Sequence, residues 1–75
     1  MRITQYLVII EKTNTGYNAY VPDLPGCISI GDSREEIERN IREAIAFHQE
    51  GMKEDRPEIP IPTSEAVTVS FPKVA

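Results

Sequence analysis

One stretch constrains this chain more than any other. From Arg34 to about Glu50, apolar residues return every three or four positions. With Ile37 at zero and about 100° per residue, Ile41, Ala44, Ile45, His48 and Met52 fall within roughly 80° of it. Glu35, Arg39, Arg42 and Ala46 fall on the opposite side. Ser33 stands where an N-cap belongs, and Glu36 three residues on completes a capping box. Gly51 is the expected C-terminal stop. Glu35–Arg39 and Glu38–Arg42 are i,i+4 pairs in the favourable order, worth about 0.2–0.5 kcal/mol each. This is the only helical pattern, so its apolar stripe needs a sheet to cover it.

The rest of the chain supplies that sheet. Ile3–Glu11 reads as a first strand whose apolar middle implies at least partial burial of both faces. Thr13-Asn14-Thr15-Gly16 is a turn, and Tyr17–Val21 is the antiparallel hairpin partner. Pro22-Asp23-Leu24-Pro25-Gly26 interrupts the sheet, because proline donates no ladder hydrogen bond. Cys27–Ile30 is a short third strand closed by Gly31. After the helix, Pro57, Pro60 and Pro62 make an extended connection. Ala66–Phe71 then alternates as a fourth strand, ended by Pro72. The expectation is an α+β, two-layer β-β-β-α-β fold occupying residues 1–75 as one domain.

Such a domain is short of core. A 75-residue chain buries about 60% of the surface its unfolded form exposes, and chains of this size are often stapled or oligomeric. One cysteine excludes an internal disulfide, and Cys27 with His48 falls short of the four ligands of a structural zinc site. The first strand meanwhile carries two apolar sets, Leu7 and Ile9 against Tyr6, Val8 and Ile10. The helix covers one set, so a homo-oligomer, dimer or tetramer, or a protein partner is expected to cover the other.

Chemistry is hard to place. His48 lies within the helix's apolar stripe, where a half-buried packing role with a hydrogen bond near the helix end is expected rather than acid–base work. Cys27 starts a strand beside Ile28 and reads as a small buried hydrophobe, not a reactive thiol. The first strand has no acid before Glu11 and the fourth has none from Val67 to Phe71. A two-metal nuclease site would need carboxylates converging there. The four glycines are scattered at element ends and build no phosphate loop. No catalytic, metal or cofactor residues are therefore expected. The net charge of −4, from 12 acidic and 8 basic residues, and the absence of any basic block argue against direct nucleic-acid binding. They suit a basic protein partner. No apolar run is long enough to span a bilayer and the first residues lack signal-peptide organisation, so a cytoplasmic protein is expected.

The run Tyr17-x-Ala19-Tyr20-Val21-Pro22-Asp23-Leu24-Pro25-Gly26-Cys27, followed by Gly31-Asp32-Ser33-x-Glu35-Glu36, strongly resembles the HicB family of antitoxins. Asn40-Ile41-x-Glu43-Ala44-Ile45, Gly51-Met52 and Ile59-Pro60-x-Pro62 continue the likeness over nearly the whole chain. The resemblance implies a partial RNase H-like fold without nuclease acids. It also implies a partner, a small basic HicA-type mRNA interferase whose active site the antitoxin obstructs. Full-length members carry a C-terminal DNA-binding segment, and a chain ending at Ala75 is expected to be a short form without it. Tyr20, Pro22, Asp23, Leu24, Pro25 and Gly26 are the candidate partner-binding residues, since two prolines pre-order an exposed, partly apolar edge. A rigid strand connector is the competing reading of that loop. A stand-alone oligomeric binding domain is the alternative function.

Overall fold

The structure, a computed structural model, describes residues 5–55 and 61–73, with backbone alone over 52–55. Three antiparallel strands, β1 (Ile9–Lys12), β2 (Tyr17–Tyr20) and β3 (Ile28–Gly31), precede one helix, α1 (Arg34–Asp55). The sheet order is β1-β2-β3, so β2 is central. The fold is α+β, as the patterning implies.

Register separates the two faces of the sheet. Ile10 lies opposite Ala19 and Ala19 opposite Ser29, whereas Ile9 lies opposite Tyr20 and Tyr20 opposite Ile28. Ala19 faces α1. It joins a buried cluster with Val21, Leu24, Cys27, Ile37 and Ile41, against which Tyr6, Val8, Ile10, Tyr17, Ala44 and Ile45 pack. Each fully buried Leu or Ile in such a cluster contributes about 1.5–3 kcal/mol. Ile9, Tyr20, Ile28 and Ile30 fall on the opposite face, and there Ile28 and Ile30 are 70% and 77% exposed.

The helix begins where the capping signal puts it. The Glu36 amide donates to Ser33 Oγ at 3.1 Å, and the Ile37 amide donates to the Ser33 carbonyl at 2.9 Å. The Glu36 carboxylate reaches back to the Asp32 amide at 3.2 Å, one residue before the partner a capping box would give it. Asn40 Nδ2 donates to the Ile30 carbonyl at 2.9 Å, tying α1 to β3. Glycine is required where these elements converge. A Cβ on Gly31 would sit 2.9 Å from the Ile37 amide nitrogen, and one on Gly16 would collide with the Gly31 carbonyl oxygen.

Several elements differ from the expectation. β1 pairs only from Ile9, and residues 5–8 carry no strand; Ile3 and Thr4 lie outside the described residues. Ile9 is opposite Tyr20, the last residue of β2. Beyond it Val21-Pro22 turns away and Pro22 has no amide to offer, so β1 has no hairpin partner before Ile9. The helix runs through Gly51 to Asp55. Gly51 stops nothing because a helix-ending glycine takes positive φ, which among the described residues only Gly26 does. On the helix surface Glu38 pairs with Arg34 at 3.4 Å and with Arg42 at 3.6 Å, whereas the expected Glu35–Arg39 pair does not form. The Pro57 and Pro60 portion of the connection lies outside the described residues, as do the side chain of Met52 and the Ile59-Pro60 motif. The fourth strand expected over Ala66–Phe71 is not formed within the chain. Residues 61–73 carry no regular structure, and 63–73 are exposed throughout. A clean alternation does not by itself place a segment in a sheet, because its hydrogen bonds must come from a neighbouring strand.

Candidate partner-binding surface

The loop from Val21 to Cys27 is built of two consecutive turns. The Leu24 amide donates to the Val21 carbonyl at 3.0 Å, closing a turn with Pro22 and Asp23 at its corners. The Cys27 amide donates to the Leu24 carbonyl at 3.0 Å, closing a second turn with Pro25 and Gly26 at its corners. Pro25 pre-sets its own φ, and Gly26 takes φ +84°. This is the chemistry of a type II turn, which needs positive φ at its third residue. The Val21 amide then donates to the Cys27 carbonyl at 3.1 Å and closes the base of the loop.

That construction sorts the candidate residues. Tyr20 is 40% exposed on the sheet face away from the helix, and Pro22, Pro25 and Gly26 are exposed on the loop. Leu24 is fully buried, so it offers no surface and instead anchors the loop in the core. Asp23 is engaged within the chain. Its Oδ1 accepts from the Thr63 and Ser64 hydroxyls, both at 3.0 Å, and its Oδ2 accepts from the Ser64 amide at 3.1 Å. Partial burial pushes the Asp23 carboxyl up, but the hydrogen bonds from Ser64 and Thr63 outweigh it and hold the pKa below the usual value. Asp23 therefore fastens the start of the C-terminal segment to the loop. Nothing local in the sequence signals this bond, because its partners stand 40 and 41 positions away.

Ile28 and Ile30 belong to the same surface and were missed as candidates, although a period-two signal was present. Cys27 and Ser29 alternate with Ile28 and Ile30, and the buried Cys27 fixes which set faces outward. Opposite Tyr20 and Asn18 respectively, the two isoleucines extend the apolar surface from the loop across the sheet.

The residues considered for chemistry are placed as follows. Cys27 is buried, and that burial pushes its thiol pKa up, away from the thiolate a nucleophile needs. His48 is half-buried as expected. Its Nε2 is buried without a hydrogen-bond partner among the described residues, so the expected bond near the helix end is absent. Among those residues no three His, Cys, Asp or Glu side chains group to hold a metal ion. No described helix is long and apolar enough to cross a membrane.

Several known proteins resemble this chain. The model of HicB-like antitoxins of bacterial toxin–antitoxin systems matches residues 6–74. A UPF0150 protein of Thermoplasma acidophilum is 41% identical over 66 residues, 87% of this chain and 96% of its own length. An uncharacterised 14.9 kDa protein of Haemophilus phage HP1 is 54% identical over 55 residues, 73% of this chain, and the match spans only 41% of that relative's length. The antitoxin HicB 2 of Photorhabdus laumondii is 34% identical over 61 residues, 81% of this chain and 44% of that protein. Among solved structures, a chain of a HicA3 and HicB3 toxin–antitoxin complex superposes with a TM-score of 0.66 at 34% identity, covering 80% of this chain and 70% of that one. The chain belongs to the HicB-like antitoxin family, which is not a family of enzymes.

Proposed function

We propose that this chain binds a small basic HicA-type mRNA interferase and neutralises it by occluding its active site. The observation that carries the reading is the likeness, in both sequence and fold, to a chain solved in a HicA3 and HicB3 complex. Electrostatics support it, since a chain with net charge −4 attracts a basic partner and repels nucleic acid, which it does not bind directly. The docking surface is Tyr20 with the exposed Pro22, Pro25 and Gly26, continued by Ile28 and Ile30 across the sheet. Asp23 and Leu24 hold that surface in place from beneath. A rigid, cross-bonded loop loses little entropy on docking, which favours tight association.

The same reading places residues 1–75 in one cytoplasmic, self-associating domain of partial RNase H-like β-β-β-α-β order. The alternation of Ala66–Phe71 supports the final strand. The stand-alone binding domain remains the second reading, favoured by the Thermoplasma relative that this chain matches over nearly its full length.

The test is binding to a HicA-like protein encoded beside this chain, followed at several salt concentrations. Association is expected to slow as salt rises, because screening over about 8–10 Å removes electrostatic steering. Dissociation is expected to change little, because the apolar contacts that resist it are insensitive to salt. Substituting Ile28 and Ile30 with Ser should accelerate dissociation. Absence of binding at any salt concentration overturns the toxin reading and leaves the stand-alone domain.

A further inference from the structure

Two parts of this chain each lack what the other supplies. One is the outer edge of β1. The sheet order leaves β1 with β2 on one side only, and no described strand pairs with the other side. Beside that edge, between sheet and helix, runs a groove of about 330 Å³ floored by Val8, Ile10, Ile41 and Ile45 and flanked by Arg34 and Arg42. The groove is continuous with the buried cluster, since Val8, Ile10 and Ile45 pack directly against it.

The other part is the C-terminal segment. Val67, Val69 and Phe71 form a period-two apolar row and are 80%, 61% and 82% exposed, while Thr68 and Ser70 alternate with them. The segment does not fold back onto its own sheet. It is fastened at Thr63 and Ser64 to Asp23 and stays exposed from there to Lys73. The radius of gyration is 14.9 Å, against about 11 Å for a compact domain of this length. An unpaired strand bearing three apolar side chains is costly in water and ready to add to any free edge.

We infer that residues 66–71 form the fourth strand of a second copy, pairing with the outer edge of its β1 and seating Val67, Val69 and Phe71 in its groove. The exchange is reciprocal, so two copies close a two-fold dimer with no arm left over. The dimensions agree. An apolar row of three at period two meets the row Tyr6, Val8 and Ile10, also three at period two, and both then lie under α1. Tyr20, Ile28 and Ile30 of the proposed toxin surface lie on the sheet face opposite the one that carries Ile10 and Ala19, so the dimer leaves that part of the surface open. The inference deepens the reading of the chain as self-associating and is independent of the toxin.

The test combines sedimentation with hydrogen exchange on the full chain. The expected species at micromolar concentration has about twice the 8.4 kDa mass of one chain. In it, amides of 66–71 exchange at least tenfold more slowly than in the doubly substituted chain Val67→Asp, Val69→Asp. That variant is expected to sediment as a monomer that keeps the helical far-ultraviolet signal of α1, whereas Ile30→Ser, on the opposite face, should remain dimeric. A wild-type monomer overturns the inference, as does a dimer that survives the arm substitutions or is lost with Ile30→Ser instead. If the arm variant does not fold, exchange in the wild-type dimer decides. Protected 66–71 amides uphold the strand exchange, and freely exchanging ones overturn it. Loss of toxin binding with an intact dimer would count against the toxin reading alone.

Discussion

The loop Val21–Cys27 and the segment Ala66–Phe71 reverse what their sequences suggest. The loop holds two prolines and a glycine, the residues that end regular structure, yet three backbone hydrogen bonds and the fully buried Leu24 fix it. The segment has the cleanest strand alternation in the chain, yet it is unpaired and exposed. The difference lies in where the partners of each backbone come from. A turn closes its hydrogen bonds within four residues, so local sequence suffices to specify it. A strand takes its hydrogen bonds from a neighbour that its own sequence does not contain.

The strongest way to break this contrast is to remove the loop's anchor. Leu24→Ala should destabilise the domain by about 2–5 kcal/mol, seen as a lowered denaturation midpoint. A loss under 1 kcal/mol would mean the loop is held by its turns alone. Gly26→Ala follows, at about 1–2 kcal/mol, because it forces a side chain into the left-handed region; an unchanged midpoint would show that the second turn has another form.

The helix offers a third case, locally specified like the loop. Ser33→Ala should cost about 0.5–2 kcal/mol by removing the acceptor of the Glu36 amide. A midpoint unchanged within error would place the helix start elsewhere.

The smallest expected effect is on the tether between the two regions. Because the Asp23 pKa is lowered by Ser64 and Thr63, the tether contributes above the ordinary value of 3.8 and is lost as pH falls through the folded value below it. Protection of the Ser64 amide should therefore fall in acid below about pH 3.8, the unshifted Asp value, and Asp23→Asn should flatten that dependence. Protection independent of pH would exclude the carboxylate as its acceptor.

How much could be read from the sequence follows the same division. The helix start, the hairpin, the third strand and the double-proline loop were legible because caps and turns are local. The helix end was not, since Gly51 has the residue type of a stop without the positive φ of one. Among the candidate residues, the loop was identified but its inside and outside were not. Leu24 lies between two prolines, and only the closed turns reveal that it points into the core. The bond from Asp23 to Thr63 and Ser64 was invisible, since no spacing rule joins residues that far apart. Tyr20 could be paired with Ile28 only once register was known.

The central claim is that this chain silences a basic RNA-cleaving partner by covering it and does no chemistry itself. Titrating the folded chain into an RNA-cleavage reaction of a neighbouring HicA-like protein tests it most directly, with His48→Ala titrated in parallel. The account predicts that cleavage falls to background near one antitoxin chain per toxin, and that His48→Ala, once folded, silences the toxin equally well. Undiminished cleavage in excess chain, or a folded His48→Ala variant that binds the toxin without stopping it, would contradict the account.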